Sequence, residues 1–192
     1  MLINLLKRLW LIMRTPSSAA MGFILLLGFS GGIIFWGGFN IGMELTNSEE
    51  FCGGCHAPIV AEIQETIHYS NRSGVRAICS DCHVPHNWTD KIIRKVQASK
   101  ELVAFALGTI NTQEKFEARR SHLANREWLR MKKNDSQECR NCHQFKYMDF
   151  SEQGRRSVKQ HSTALASGDK TCVDCHKGIA HRLPDMSGIE GW

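Results

Sequence analysis

A short pattern, Cys-x-x-Cys-His, occurs four times in this chain of 192 residues. Two cysteine sulfurs at this spacing can each add to one vinyl group of a porphyrin. The histidine that follows can bind the iron, so the pattern is typical of covalently attached haem c. The four motifs contain all eight cysteines of the chain, Cys52, Cys55, Cys79, Cys82, Cys139, Cys142, Cys172 and Cys175. The motif histidines are His56, His83, His143 and His176.

Other uses of paired cysteines are weaker explanations of this pattern. Cys-x-x-Cys pairs also build four-cysteine zinc sites, but those sites do not require a histidine directly after every second cysteine. We therefore interpret the chain as a tetrahaem c-type cytochrome, with zinc or disulfides as the alternatives. Four porphyrins would also supply apolar surface to a chain in which only 8% of the residues are aromatic.

The N-terminal part of the chain predicts a membrane anchor. Its first 14 residues include Lys7, Arg8 and Arg14 but no acidic residue, and no charge follows until Glu44. The apolar stretch 19–42 is long enough to cross a hydrocarbon core of about 30 Å as a helix. A cleavable signal peptide is the alternative, but no convincing small-residue cleavage pattern follows this stretch.

Charge distribution and haem attachment predict the topology. Positive charge before the span keeps the N-terminus in the cytoplasm, and haem attachment implies that the rest is exported. We expect a basic cytoplasmic segment at 1–18, a transmembrane anchor at 19–42 and a periplasmic tetrahaem domain at 43–192. The protein would then be a single-pass protein of a bacterial inner membrane. The net charge of +5 is modest and spread out, so nothing predicts nucleic-acid binding.

The anchor is rich in glycine. The spacings Gly28/Gly32 and Gly38/Gly42 allow close approach of two helices and therefore a homodimer. Glycine is common in membrane helices, so a simple flexible anchor is the alternative.

Beyond the anchor, the hydrophobic pattern predicts helices and no strands. We expect helices at about 57–71, at about 89–107 and at about 111–133. In the first of these, either Ile59, Ile63 and Ile67 or Val60 and Ile67 would face inward. The second of these is basic and amphipathic, and would lie on the membrane surface or be an ordinary solvated helix. The predicted fold class is thus mainly helical, with one transmembrane helix and a small loop-rich domain organised around four haems.

Five histidines lie outside the motifs and are candidates for the second axial position on iron. His68, His161 and His181 occur where the chain could fold back to another haem. His86 follows a proline close to the second motif, and His122 lies on a very polar helix, so both are weaker candidates. Iron bound mostly by two histidines has a low potential, which suits a quinol pool as electron donor.

Longer runs of residues resemble a known family. An N-terminal anchor followed by four haem motifs resembles the NapC/NirT family of membrane-anchored tetrahaem quinol dehydrogenases, over nearly the whole chain. The resemblance is strongest to members that donate electrons to periplasmic nitrate reductase. The runs that carry it are 35–40 (FWGGFN), 71–76 (NRSGVR), 99–102 (SKEL) and 175–181 (CHKGIAH).

The resemblance implies a function in anaerobic respiration. Menaquinol or ubiquinol would be oxidised at the outer membrane face, and single electrons would pass through the haems to a soluble periplasmic reductase. The resemblance also implies that His68 is the distal ligand of the fourth haem and His181 that of the third. For the second haem, on His83, we expect His161 as the distal ligand, or His86 otherwise. An iron closed in this way predicts a transient, salt-sensitive complex with the reductase.

The family's acidic residue beside the first haem and the quinol site corresponds to Glu101. We expect Glu101 to act as the proton acceptor, with a pKa moved towards neutrality by partial burial. Arg94 or Lys95 would hold a quinol oxygen; the alternative is an exposed glutamate that balances a neighbouring lysine. Pro58 departs from the family, because relatives often have a ligating methionine there, which leaves His56 as the default ligand.

Two other functions compete with quinol oxidation. A passive electron-transfer module would be anchored but reduced by another membrane protein, without a quinone site. A multihaem reductase of nitrite or a similar oxyanion would need an open iron near a cationic pocket, and a site facing the membrane is badly placed for a soluble anion.

The motifs make a direct prediction about cofactor content. Because thioether bonds survive unfolding, the denatured protein should retain a pyridine-haemochrome signal of four haems per chain. Zinc without porphyrin, measured by elemental analysis of the same sample, would contradict this interpretation.

Overall fold

The chain is mainly helical, as the sequence predicts. Every regular element of the computed structural model is a helix or a helical turn, and no strand occurs among the residues it describes. The described residues are 2–16, 18, 20–110 and 112–187. The chain divides into two compact units, Met1–Leu45 and Thr46–Trp192.

The first unit consists of two helices. Helix α1, Leu2–Arg14, carries the basic residues of the N-terminus. Helix α2, Met21–Leu45, has 25 residues and would extend about 37 Å at 1.5 Å per residue. Among the described helices, only the one that starts at Met21 is long and apolar enough to cross a membrane. It covers most of the predicted anchor 19–42, of which Ala19 lies outside the described residues.

Helix α3, Glu49–Gln64, contains the first haem motif. Ser48 caps it by accepting a hydrogen bond from the Phe51 amide at 3.2 Å. The helix is kinked at His56 (φ −115°, ψ 36°), because Pro58 has no N–H for an intrahelical bond and its ring crowds the preceding turn.

The predicted helix 57–71 was therefore misplaced. Helix α3 begins eight residues before the predicted start and ends seven before the predicted end. Ile63 is buried, as predicted, but Ile67 lies beyond the helix and is 74% exposed.

The next two helices follow the sequence prediction more closely. Helix α4, Cys79–His83, begins with Asp81 accepting a hydrogen bond from the Ile78 amide at 2.9 Å. Helix α5, Trp88–Ala106, lies within one residue of the predicted 89–107 at each end. Several apolar side chains of α5 remain exposed beside its basic ones, namely Ile93, Val96, Leu102 and Val103.

The long helix predicted to end near 133 is broken in two. Helix α6, Gln113–Glu117, starts where the Thr112 hydroxyl accepts a bond from the Lys115 amide, while residue 111, at which the predicted helix begins, lies outside the described residues. Helix α7 follows at Arg120–Lys133. A turn at residues 118–119 separates the two helices, and the side chain of the next residue, Arg120, is buried.

The remaining elements are short. Helix α8, Gln137–Arg140, opens the third motif. Two 3₁₀ turns, Phe145–Tyr147 and Phe150–Glu152, are followed by α9, Arg155–Gln160. A π-helical turn, His161–Leu165, then leads to α10, Cys172–Cys175.

A buried ion pair, rather than a large apolar core, joins distant parts of the second unit. The buried apolar side chains among the described residues are Ile63, Phe116 and Val173. The Arg120 guanidinium donates to both carboxylate oxygens of Glu62 on α3. Glu62 also accepts a hydrogen bond from the Arg182 amide at 2.9 Å, so α3, α7 and the C-terminal segment are tied together.

This pair makes a prediction about stability. Glu62→Gln leaves the buried Arg120 charge with only Glu117, and should lower the free energy of unfolding by roughly 2 to 3 kcal/mol. The matched control is Glu65→Gln, which removes the exposed pair with Arg182 and should cost less than about 1 kcal/mol. Denaturant unfolding of both holoprotein variants, followed by haem absorption, measures the difference; equal costs would contradict the prediction.

Candidate haem-binding and proton-accepting site

The four motifs meet as two pairs. The Cys52 and Cys79 thiols lie close enough for each to shift the pKa of the other, so the first cysteines of motifs one and two are neighbours. The Cys139 and Cys172 thiols do the same for motifs three and four. Cys82 lies close enough to the third motif to interact electrostatically with it. The motifs therefore form a continuous series in sequence order.

Three motif histidines each face one histidine from outside the motifs. The ring centroids lie 6.3 Å apart for His68 and His143, 6.2 Å for His83 and His181, and 5.9 Å for His161 and His176. An imidazole nitrogen binds a metal at about 2 Å, so two rings on opposite sides of one iron have centroids about 6 Å apart. The three pairs therefore have the separation that a shared haem iron requires.

The environment of these rings also suits metal binding. The Nδ1 atoms of His68 and His181 are buried, and neither has a hydrogen-bond partner in the described part of the chain. Buried polar atoms nearly always have partners, so an unpartnered imidazole nitrogen indicates a ligand. Burial, reinforced by His83, lowers the pKa of His181 to about 4, which keeps the ring in the neutral form that binds metals.

Zinc fits the same residues poorly. Among the described residues there is no cluster of three or more His, Cys, Asp or Glu side chains that could hold a metal ion without a porphyrin. All eight cysteines are free thiols, and none is part of a disulfide. The residues that are present therefore fit haem better than either alternative.

The three histidine pairs differ from the predicted ones. We expected His161 opposite His83, but its ring faces His176 instead. Only 14 residues separate the two in sequence, and the π-helical turn carries His161 towards α10. The weaker candidates His86 and His122 are both exposed.

The other two pairs are also exchanged. His68 was expected beside the fourth motif and His181 beside the third, but they face His143 and His83 respectively. The Arg182 amide binds Glu62, and the Arg182 carbonyl accepts a bond from Arg120, which fixes the segment next to His181. These two contacts join residues that are 120 and 62 positions apart, and sequence spacing does not reveal them.

A carboxylate binds the outer nitrogen of His83. The Nδ1 atom lies 2.9 Å from Oε1 of Glu127 on α7, and the Arg130 guanidinium donates to the same oxygen at 2.9 Å. Burial raises the pKa of Glu127, but the hydrogen bonds and charges of His83 and Arg130 outweigh it and bring the pKa well below its usual range.

Glu127 was not among the site residues predicted from the sequence. Its only signal in the sequence is the i, i+3 spacing to Arg130, which is common on exposed helices. At His161 an uncharged group takes the equivalent place, where Oε1 of Gln153 lies 2.7 Å from Nδ1.

The first motif has a different arrangement. Within the described residues, the His56 ring faces no second histidine and contacts Glu101 instead, with Nε2 and Oε2 3.4 Å apart. Arg94 lies 3.5 Å from the same carboxylate and Arg126 lies 3.9 Å from it. The predicted contact of Glu101 with the first motif and Arg94 is therefore present in the structure.

The predicted pKa of Glu101 is wrong in direction. The hydrogen bond with His56 and the charges of Arg94 and Arg126 outweigh burial and hold the pKa of Glu101 below its usual value. The carboxylate is therefore ionised at neutral pH, which is the form that can accept a proton.

The two cations that were expected to bind quinol have other partners. Arg94 also donates to the His83 carbonyl at 3.2 Å, which links the first motif to the second. The Lys95 ammonium donates to the carbonyl and the hydroxyl of Thr46 at 2.8 and 2.7 Å. Arg94 and the unpredicted Arg126 therefore supply the positive charge next to Glu101.

Comparisons with known proteins identify the family of this chain. The sequence profile of the NapC/NirT cytochrome c family, N-terminal region, matches residues 14–186. The chain is 57% identical to the cytochrome c-type protein NapC of Escherichia coli strain K12, over 97% of this chain and 94% of that protein. It is 53% identical to the denitrification system component NirT of Stutzerimonas stutzeri, over 91% of this chain and 88% of that protein.

A further relative is named for its haem content. The chain is 46% identical to a putative tetraheme c-type cytochrome of Allochromatium vinosum, over 89% of this chain and 95% of that protein. No solved structure matches the chain significantly. The family match covers most of the chain and confirms the resemblance seen in the sequence. The chain thus belongs to the NapC/NirT cytochrome c family, whose members are membrane-anchored, haem c-containing electron-transfer proteins.

Proposed function

We propose that this protein is a membrane-anchored tetrahaem quinol dehydrogenase that passes electrons to a periplasmic reductase, with nitrate reductase as the first candidate. The observation that carries the proposal is the ionised Glu101 in contact with the first motif and between two arginines. Quinol oxidation releases protons as well as electrons, so it requires a proton acceptor beside the first electron acceptor. A passive electron carrier has no need of this arrangement.

Each of the eight motif cysteines would hold one edge of a haem c through a thioether. When bound, the four haems would accept and pass on single electrons. The ring pairs support His181 as the distal ligand with His83, His68 with His143 and His161 with His176. The cysteine contacts between consecutive motifs support transfer in the order of the sequence, from the first motif to the fourth.

At the first motif, the residues of the chain would bind and deprotonate the substrate. The Glu101 carboxylate accepts the hydroxyl proton of menaquinol or ubiquinol. Arg94 and Arg126 then stabilise the negative charge that develops on the quinol oxygen. Lys95 would help indirectly, by fixing α5 to Thr46, where the second unit begins.

The membrane topology that we propose is the one that the sequence predicts. Helix α2 would cross the bacterial inner membrane, with residues 1–18 in the cytoplasm and 43–192 in the periplasm, because the charges before the span are positive. The glycine spacings on α2 would allow two anchors to pack closely in a homodimer. A Cβ added at Gly28 or Gly32 would meet no atom within 4 Å in the single chain.

The reductase would bind transiently. His181 takes the place that was expected for His161, so the ring opposite His83 comes from this chain and not from a partner. The partner therefore contributes no iron ligand there and can dissociate. Such a contact depends on surface charge and weakens as salt rises.

Replacing Glu101 tests the proposal. Glu101→Gln keeps the shape of the side chain but removes the proton acceptor, so quinol turnover should fall by about 100-fold, within the usual range for a lost general base. Reduction by dithionite should be unchanged, since it needs no proton acceptor. Purified protein in liposomes, challenged with a menaquinol analogue and followed at the haem absorption band, measures both rates.

The matched control is Glu114→Gln, which removes an exposed carboxylate on α6 and should leave both rates unchanged. Normal quinol turnover of Glu101→Gln at full haem content would contradict the proposal. The passive electron-transfer module would then be the better description.

A second variant tests the histidine pairing. His161→Ala should convert one low-spin haem to high-spin, and added imidazole should reverse the change. The reason is that the His161 and His176 ring centroids lie 5.9 Å apart, the separation of two rings that bind one iron. His122→Ala is the control, since that ring is exposed on α7. Electron paramagnetic resonance of the oxidised protein measures the spin states, and a fully low-spin His161→Ala variant would contradict the pairing.

A further inference from the structure

The contact between Glu127 and His83 places a carboxylate within hydrogen-bond distance of one imidazole nitrogen. Nδ1 of His83 lies 2.9 Å from a carboxylate oxygen, and the ring centroids of His83 and His181 lie 6.2 Å apart. If Nδ1 contacts Glu127, only Nε2 remains to face His181 and to bind iron. The carboxylate therefore selects the nitrogen that is presented to the metal.

A second ion pair holds the carboxylate in place. Arg130 donates to Glu127 and also, at 2.8 Å, to Glu138, which is almost completely buried. Glu138 is fixed in turn by two bonds from the Asn134 amide. The Arg130 guanidinium also donates to the Cys82 carbonyl, one residue before His83. The network thus ties Glu127 to the motif that it contacts.

The histidine facing the fourth motif provides an internal comparison. His161 has the neutral amide of Gln153 at 2.7 Å from its Nδ1, where His83 has a charged carboxylate. A carboxylate that accepts the Nδ1 hydrogen increases electron donation from the ring to the metal, whereas an amide does so much less. Increased donation stabilises ferric over ferrous iron and so lowers the reduction potential.

We propose that Glu127 is a positioning residue that orients His83 and lowers the reduction potential of the second haem relative to the fourth. The inference rests on the proposed ligation of that haem by His83. Its consequence is directional, because a lower potential at the second haem makes electron transfer from the second haem to the fourth favourable. Glu127 does not touch substrate or iron and acts through His83.

Two simpler roles make different predictions. If Glu127 acted only through its charge, any carboxylate at this position would serve equally well. If it were merely structural, its loss would lower stability without changing the potential of one haem. The variants below separate these roles from a hydrogen bond to His83.

The experiment uses the full-length holoprotein in detergent, with potentiometric titration followed by electron paramagnetic resonance. Glu127→Gln removes the charge and leaves an amide, so one haem should become easier to reduce by about tenfold. This is the lower end of typical outer-ligand effects and corresponds to about 59 mV for one electron. Glu127→Asp keeps the charge but is one methylene shorter, so it should shift the same haem in the same direction. The g values of that haem should change in both variants.

The reciprocal variant installs the interaction at the other site. Gln153→Glu places a carboxylate beside His161, so it should make a different haem about tenfold harder to reduce. The change lies on a separate segment and leaves the Arg130 network intact. It therefore keeps the inference testable if the Glu127 variants lose haem.

The outcomes separate the inference from the proposed function. Wild-type potentials in Glu127→Gln, or a shift in Glu127→Gln that is absent in Glu127→Asp, would overturn the inference. If the Glu127 variants lose haem, unchanged potentials in Gln153→Glu would do so. Fewer than four haems in the wild-type protein, or a high-spin second haem, would instead contradict the proposed ligation.

Discussion

Pairs of imidazole rings about 6 Å apart are the constraint around which the second unit is organised. Each pair consists of a motif histidine and a histidine from outside the motifs, as with His83 and His181. Few apolar side chains are buried among the described residues, so packing between side chains contributes little to holding the helices together. Short helices joined by turns are the expected result, since each element needs only to place one ligand or one pair of cysteines.

Ion pairs supply the rigidity that this arrangement needs. Glu62 binds Arg120 and the Arg182 amide next to His181, and Glu127 binds both Arg130 and His83. In each case a partly or fully buried carboxylate is shared between a guanidinium and a ligand-bearing segment. Buried charges are costly unless they are paired in this way, so loss of either partner should disturb the neighbouring histidine as well as stability.

Local sequence patterns predicted the chemistry better than the geometry. The Cys-x-x-Cys-His motifs and helix α5 depend on nearby residues, and both were found correctly. The start of α3 was missed because the first motif lies inside the helix, where Gly53, Gly54 and Pro58 have low helix propensity. The structure has a kink at His56 instead, since the helix continues on both sides of the proline.

Long-range placement was not visible in the sequence. The predicted contact of Glu101 with the first motif is present, but the pKa of Glu101 is lowered, by His56 first and then by the charges of Arg94 and of Arg126 on another helix. The histidine partners were exchanged for a similar reason. Any of the three spare rings satisfies the same local chemistry, and only contacts such as that of Arg182 with Glu62 decide between them.

The same distinction explains how four similar motifs can have different functions. Their covalent chemistry is identical, so differences between the haems must come from the groups that contact the histidines. His56 has a carboxylate between two arginines, His83 a carboxylate held by one arginine, and the ring facing His176 a neutral amide. At these short separations a single charge is worth several kcal/mol even in a partly solvated site, about 4 kcal/mol for two unit charges 4 Å apart. Electrostatic differences of this size are large enough to distinguish the first motif from the second and the fourth.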